Sequence, residues 1–212
     1  NEALAEYVNA FDIARLSLRA REESQIETLL NRKSVIKRFG VLSVAIPPAA
    51  FLQPSQAGED ALCAFVNAAA KDAANVAYLF AGCGTFSGQM LHKNIKVTAI
   101  DSDGLAIAAL QKAATKNLNI QQRNLFESPL SPAELQQFDA VILDPPRAGA
   151  MAQAEQLAQS VVSKIIYVSC GPASFARDAQ ILTGAGYRLE TLTIVDQFVW
   201  SAHAELVGVF TR

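Results

Sequence analysis

The side chains best suited to chemistry stand where apolar runs end. In Val168-Ser169-Cys170-Gly171-Pro172 a thiol follows an apolar stretch and precedes a helix-forming one. A cysteine there can serve as a nucleophile, because the dipole of the following helix favours thiolate over thiol. A lone cysteine is more often a buried structural residue, which is the reading for Cys63 and Cys83. In Trp200-Ser201-Ala202-His203-Ala204-Glu205 a carboxylate heads the apolar run 206–210. Burial at such a mouth raises a carboxyl pKa and suits a general base. The plain alternative is a solvent-facing strand residue, and His203 reads as a core or rim histidine. The turn Phe80-Ala81-Gly82-Cys83-Gly84-Thr85-Phe86-Ser87-Gly88 lets backbone approach a ligand. Its Gly88 comes one residue late for the dinucleotide fingerprint. Asp101 lies 17 residues after Gly84, where a carboxylate can accept from ribose hydroxyls. Alternatively, Asp101 or Ser102 caps the next helix. In Asp144-Pro145-Pro146-Arg147-Ala148-Gly149 two prolines stiffen a loop that can hold a carboxylate toward a ligand. No set of residues has metal-ligand spacing.

These positions imply a particular scaffold. From residue 57 onward strands and helices alternate: helix 57–73, strand 75–80, a glycine turn with a short helix, strand 95–100, helix 103–116 and strand 118–123. Strand 138–143, helix 151–160, strand 164–169 and helix 173–184 follow, and two longer strands over 187–210 turn near 197–202. The fold class is therefore α/β, a mostly parallel sheet with helices on both faces and a C-terminal antiparallel hairpin. Ligands bind at the carboxyl ends of such strands, where the motifs lie. Residues 1–52 differ, with a helix at 2–9, strands at 12–19 and Val41–Ile46, and a net charge of +1 against −3 for the rest. Arg32, Lys33, Lys37 and Arg38 form a basic cluster, read as a solvated loop or hairpin, or as an RNA phosphate contact.

Composition narrows the class. Of 212 residues, 51 % are hydrophobic and 18 % charged, which excludes a disordered chain. Three widely spaced cysteines exclude a disulfide scaffold and an iron–sulfur cluster within these residues. No apolar run reaches the ~18 residues of a membrane span, and Asn1-Glu2-Ala3-Leu4 shows no secretory pattern, so a cytoplasmic setting is expected. A net charge of −2 does not fit a strong nonspecific nucleic-acid binder.

Together these segments resemble the class I S-adenosylmethionine-dependent RNA 5-methyluridine methyltransferases. The likeness covers roughly 45–212, more weakly 10–44. Phe51-Leu52-Gln53-Pro54 resembles the family's aromatic-x-Gln segment, and Phe80-Ala81-Gly82-Cys83-Gly84-Thr85 its cofactor loop. Asp101 matches its ribose-binding acid, and Asp144-Pro145-Pro146-Arg147-Ala148-Gly149 its Asp-Pro-Pro-Arg-x-Gly segment. Ser169-Cys170-Gly171-Pro172, followed by Ala176-Arg177-Asp178, resembles the nucleophile segment Ser-Cys-Asn-Pro…Ala-Arg-Asp. His203-Ala204-Glu205 resembles the His-Val-Glu that carries the base. Tyr78, Thr85 and Gly171 depart from the pattern, replacing an acid and two asparagines.

The resemblance implies a Rossmann-like fold over 51–212, with 1–50 a β-containing remnant of a central substrate-recognition domain. It implies S-adenosylmethionine bound by Gln53, Phe80, Gly82, Thr85, Asp101 and Asp144. Cys170 would be the nucleophile, Glu205 the base, and Arg147 a substrate contact or a structural ion pair. The partner would be RNA, ribosomal favoured over transfer RNA from the wording of Phe51-Leu52-Gln53 and Val195-Asp196-Gln197-Phe198, with no metal. The family's N-terminal RNA-binding barrel and cysteine cluster do not fall within these residues, which fits a catalytic-domain fragment. The competing readings are a 5-methylcytidine RNA methyltransferase and a non-catalytic RNA-binding module that keeps the fold.

Overall fold

The computed structural model describes residues 2–21, 26–91, 95–197, 200–201 and 203–212. The N-terminal part holds helix α1 (Glu2–Ala10) and two short antiparallel pairs, β1 (Arg15–Leu18) with β2 (Glu27–Asn31) and β3 (Ile36–Phe39) with β4 (Leu42–Ala45). Strand β2 falls where the sequence reading marks no strand, because β2 is exposed along most of its length and lacks apolar alternation. The β3–β4 hairpin does not stand apart: Phe39, Leu42, Val44 and Ile46 share one core with the residues that follow.

The remainder alternates as expected. Its elements are α2 (Gln56–Ala69), β5 (Asn75–Leu79), α3 (Ser87–Leu91), β6 (Lys96–Asp101), α4 (Gly104–Ala113), β7 (Leu118–Gln122), α5 (Pro132–Leu135), β8 (Ala140–Leu143), α6 (Met151–Ala158), β9 (Lys164–Ser169), α7 (Pro172–Gly184), β10 (Arg188–Val195) and β11 (Glu205–Thr211). Among the described residues the main sheet has seven strands in the order β10-β11-β9-β8-β5-β6-β7. Strands β9 to β7 run parallel, and β11 and β10 add antiparallel at one edge. The expected turn of that hairpin includes Phe198, Val199 and Ala202, which lie outside the described residues. Strand order reverses beside β5: the chain first builds β6 and β7 on one side, then returns to place β8 and β9 on the other. That leaves a crevice above β5 and β8, where ligands of open parallel sheets bind.

Period-two alternation fills both faces of the sheet. In β5, Val76 and Tyr78 enter the core beneath α2, α3 and the β3–β4 hairpin, while Ala77 and Leu79 enter the one beneath α6 and α7. In β9, Ile166 and Val168 face the first core and Ile165 and Tyr167 the second. The helix starts are chemically set. Ser55 caps α2 by accepting from Gly58 N at 3.0 Å. Asp103 caps α4, accepting from Leu105 N and Ala106 N at 2.8 and 3.2 Å. The cap is thus neither Asp101 nor Ser102. A short helix absent from the sequence reading, α5, begins with Pro132 inside a Ser131–Glu134 capping box. Helix α3 docks so closely that a Cβ on Gly88 would overlap the Phe39 carbonyl.

Candidate active site

The chain turns sharply as it leaves β5. Phe80 sits at φ +62°, and Gly82 and Gly84 at +51° and +86°. Left-handed backbone is costly for phenylalanine, so a strained residue stands where the strand meets the crevice. Asp101, at the carboxyl end of β6, ties this turn down. One carboxylate oxygen accepts from Gly82 N and the other from Asp103 N, both at 2.8 Å. Each oxygen keeps a lone pair for a further donor. Cys63 on α2 supports the same turn from below, its thiol contacting the Thr85 carbonyl at 3.9 Å. Burial pushes Cys63 up to about 12 and Cys83, which lines the crevice, up to about 11, so both thiols stay protonated.

The loop after β8 is gripped from α7. The buried Asp178 carboxylate accepts from Ala150 N at 2.7 Å, Tyr167 Oη–H at 2.6 Å and Arg177 Nε at 2.8 Å. Arg177 in turn donates to the Ala148 carbonyl at 2.9 Å. The Ser174 hydroxyl reaches the carbonyls of Arg147 and Gly171 at 2.9 and 3.0 Å, binding this loop to the nucleophile segment. Any side chain at 171 would press on Ser174 and on the Arg147 carbonyl. With Gly171 in place of asparagine, the serine hydroxyl occupies that space and makes the link between the two loops.

A cavity of about 450 Å³ opens between these segments. All nine residues singled out by the sequence line it: Gln53, Phe80, Gly82, Thr85, Asp101, Asp144, Arg147, Cys170 and Glu205. Tyr78, Phe51 and Phe126 complete the wall. Phe126 packs on Phe80 with ring centres 5.3 Å apart, a contact that the 45 intervening residues hide from local patterns. His203 is at the rim, its Nε2 3.0 Å from an Arg147 nitrogen.

The electrostatics are those of buried acids. Asp144 is pushed up to about 7, chiefly by burial and then by the negative charge of Glu205 and, less, Asp101; a hydrogen bond from Tyr78 at 3.1 Å works the other way. Burial also raises Glu205, opposed by a hydrogen bond from Gln197 and the positive charge of Arg147. Cys170 corrects an expectation. Its thiol is raised rather than lowered, because burial and the Glu205 charge outweigh the Arg147 charge and a backbone hydrogen bond. The resting form is the thiol. The Arg32–Arg38 cluster is largely consumed internally: Arg32 donates to the Val8 carbonyl, Lys33 pairs with Asp12 at 2.6 Å and Lys37 with Glu59 at 3.0 Å. Among the described residues no group of three or more His, Cys, Asp or Glu could hold a metal ion, and no helix is long and apolar enough to cross a membrane.

Comparison with known proteins fits this geometry. The family model described as tRNA (uracil-5-)-methyltransferase matches residues 42–212. The chain belongs to that family. An RNA methyltransferase of Brucella suis, named as uncharacterized, is 41 % identical over 215 residues, covering 99 % of this chain and 50 % of that protein. The 23S rRNA (uracil(1939)-C(5))-methyltransferase RlmD of Dichelobacter nodosus is 36 % identical over 176 residues, 78 % of this chain and 41 % of that one. The crystal structure of the Pyrococcus abyssi tRNA (uracil-54, C5)-methyltransferase in complex with S-adenosyl-L-homocysteine superimposes with a TM-score of 0.80 at 26 % identity. It covers 96 % of this chain and 52 % of that one. The chain spans about half the length of the curated relatives it matches. The Rossmann-like sheet and its antiparallel edge are thus those of this uracil-5-methyltransferase family.

Proposed function

We propose that this chain is the catalytic part of an S-adenosylmethionine-dependent RNA (uracil-C5) methyltransferase working through a covalent cysteine adduct, with ribosomal RNA favoured over transfer RNA. The observation that carries the reading is the meeting of Cys170, Glu205, Asp101 and Asp144 in one cavity, although they come from the ends of four different strands. Buried titratable groups with shifted pKa values in a cleft mark functional sites. The residues present suit the cofactor. A Cβ on Gly82 would meet nothing within 4 Å, so open space adjoins this backbone, and Asp101 retains lone pairs for ribose hydroxyls. Gln53, Phe80, Thr85 and Asp144 line the same cavity. S-adenosylmethionine, when bound, supplies the electrophilic methyl group that carbon 5 of the uracil takes.

The remaining steps belong to the chain. The Cys170 thiol releases its proton to solvent water, helped by the positive charge of Arg147. The thiolate adds to carbon 6 of uracil, forming an S–C bond and moving an electron pair toward carbon 5 and the adjacent carbonyl oxygen. After methylation Glu205 removes the proton from carbon 5. That electron pair rebuilds the ring double bond as the S–C bond breaks, and the thiolate returns. A base must leave its stack to reach such a cavity. Arg147, exposed at the rim beside His203, is placed to meet the phosphate or base that enters. The name of the Dichelobacter nodosus relative supports the ribosomal substrate, and an RNA-modifying role fits a cytoplasmic setting.

The test is methyl transfer from labelled S-adenosylmethionine to ribosomal and transfer RNA, read by mass spectrometry of the nucleosides. The expected product is 5-methyluridine, more of it in ribosomal RNA, with loss of at least about a thousandfold in Cys170→Ala. Normal methylation by Cys170→Ala would refute the covalent route. Label in 5-methylcytidine, or no label at all, would refute the proposed activity.

A further inference from the structure

Strand β5 brings a buried phenol to the site. Tyr78 is 1 % exposed, and its ring lies in the core beneath α2 and α3, with the Phe86 ring centre 5.4 Å away. Phenylalanine would fill that space equally well. Tyrosine adds a hydroxyl that donates to Asp144 Oδ2 at 3.1 Å, across 66 residues of sequence. Burial and the Asp144 charge push the phenol far up, so it remains a donor. The aspartate backbone is held by the same strand, its N–H donating to the Leu79 carbonyl at 3.2 Å. Among the described residues no other side chain hydrogen-bonds this carboxylate, so Oδ1 is left for a ligand. Sheet order decides which end of the cavity the carboxylate serves. Asp144 follows β8, Cys170 follows β9 and Glu205 opens the antiparallel β11, all on one side of β5. Asp101 ends β6, on the other side. The charged side chains lining the cavity are Asp101, Asp103, Asp144 and Glu205, with Arg147 as the one base among the described residues. Such a set favours a ligand that carries positive charge.

We propose that Tyr78 is a positioning residue: it fixes one oxygen of Asp144 and leaves the other as the counter-charge to the sulfonium of the methyl donor. This rests on the methyltransferase reading of the site. The sulfonium is the cation that must come to the end of the cavity where Cys170 and Glu205 act, which is the end that Asp144 shares. A carboxylate attracts a cation only when ionised, and a hydrogen bond donated to it favours that form. Around Asp144, the charges of Glu205 and Asp101 oppose ionisation, and the thiols of Cys63 and Cys170 feel its charge. Arg147, in the same loop, contacts His203 at the rim. Of the groups that act on Asp144, Tyr78 is the one that works for the ionised form. Where the family pattern has an acid, a second carboxylate would oppose Asp144; the phenol supports it instead.

The experiment titrates Asp144 in the ligand-free chain, by carbon-13 NMR of labelled aspartate assigned with Asp144→Asn. Tyr78→Phe keeps the ring and removes the hydroxyl, and its Asp144 midpoint is expected about one pH unit higher. Calorimetry then measures affinity for S-adenosylmethionine and for S-adenosylhomocysteine, which lacks the sulfonium charge. With the parent midpoint near about 7, Tyr78→Phe is expected to bind S-adenosylmethionine about fivefold more weakly than the parent at pH 6.5 and within about twofold of it at pH 8.5. S-adenosylhomocysteine is expected to change by less than about twofold at either pH. Asp144→Asn, uncharged at every pH, is expected to weaken S-adenosylmethionine more than S-adenosylhomocysteine at pH 8.5, about fivefold against twofold. Loss of packing alone would weaken both ligands equally at every pH. An unmoved Asp144 midpoint in Tyr78→Phe overturns the positioning role, and equal losses of both ligands in either variant overturn the assignment to the sulfonium. If the parent chain binds neither ligand, it is the methyltransferase reading that fails.

Discussion

Asp178 offers the sharpest test of how the site is held. Its carboxylate is fully buried, and one oxygen accepts from both Ala150 N and Tyr167 Oη–H. The other accepts from Arg177, whose side chain is 42 % exposed. In Asp178→Ala the arginine turns to water and contributes little to the loss. Ala150 N keeps a bond to Tyr167 Oη at 3.1 Å, but the tyrosine hydroxyl proton is left buried with no acceptor. An orphaned buried donor costs about 1–3 kcal/mol, and the lost charge-assisted bonds add to it. The expected destabilisation is about 2–4 kcal/mol, or roughly 5–15 °C in Tm for a domain of this size. Urea unfolding measures it. The reasoning makes a second demand: Tyr167→Phe removes the orphaned hydroxyl, so in the double variant the cost of Asp178→Ala falls by about 1–2 kcal/mol. Strict additivity of the two substitutions, or a loss below about 1 kcal/mol for Asp178→Ala alone, refutes the account. Function should follow, because Asp178 and Arg177 anchor the 144–149 loop that carries Asp144 and Arg147.

Three other outcomes follow from the geometry. Asp144, raised from 3.8 to about 7, opposes folding as pH climbs through that interval, because the folded chain holds a proton that the unfolded chain has released. Asp144→Asn is therefore expected to stabilise the protein by up to about 4 kcal/mol at pH 8 and by little below pH 4. A gain independent of pH in thermal melts would contradict this. Gly88→Ala drives a Cβ into the Phe39 carbonyl and should cost about 1–3 kcal/mol, read as a lower Tm with α3 loosened from the hairpin. Since Lys33 and Lys37 are occupied by Asp12 and Glu59, their replacement by alanine should leave RNA affinity within about twofold, while Arg147→Ala should weaken it more; filter binding at fixed salt distinguishes the two.

Much of the scaffold was legible because its signals are local. The strands β5, β8 and β9 are short, largely apolar runs, and such runs can only be buried between helices. Strand β1 falls within the alternation of Ile13, Leu16 and Leu18, whereas β2 is exposed along most of its length, so little in its own residues marks it. Helix α5 occupies four residues, too few for a period to show. Asp101 illustrates an ambiguity that local chemistry could not resolve. An acid just before a helix reads equally as a cap, and only the fold shows Asp103 in that role while Asp101 holds the glycine turn.

The order of the motifs determined which residues could meet, because in an alternating α/β chain the end of every parallel strand arrives at the same edge of the sheet. That is why Asp101, Asp144 and Cys170, each at or just past the end of a parallel strand, line one cavity. What the tertiary structure alone decided is the state of those groups and who supports them. The raised thiol of Cys170, the raised carboxyl of Asp144, the Ser174 link that spans Gly171 and the hydrogen bond from Gln197 to Gln53 depend on distances between segments far apart in the chain. Burial and through-space charge fall off over a few ångströms, and sequence spacing does not report ångströms.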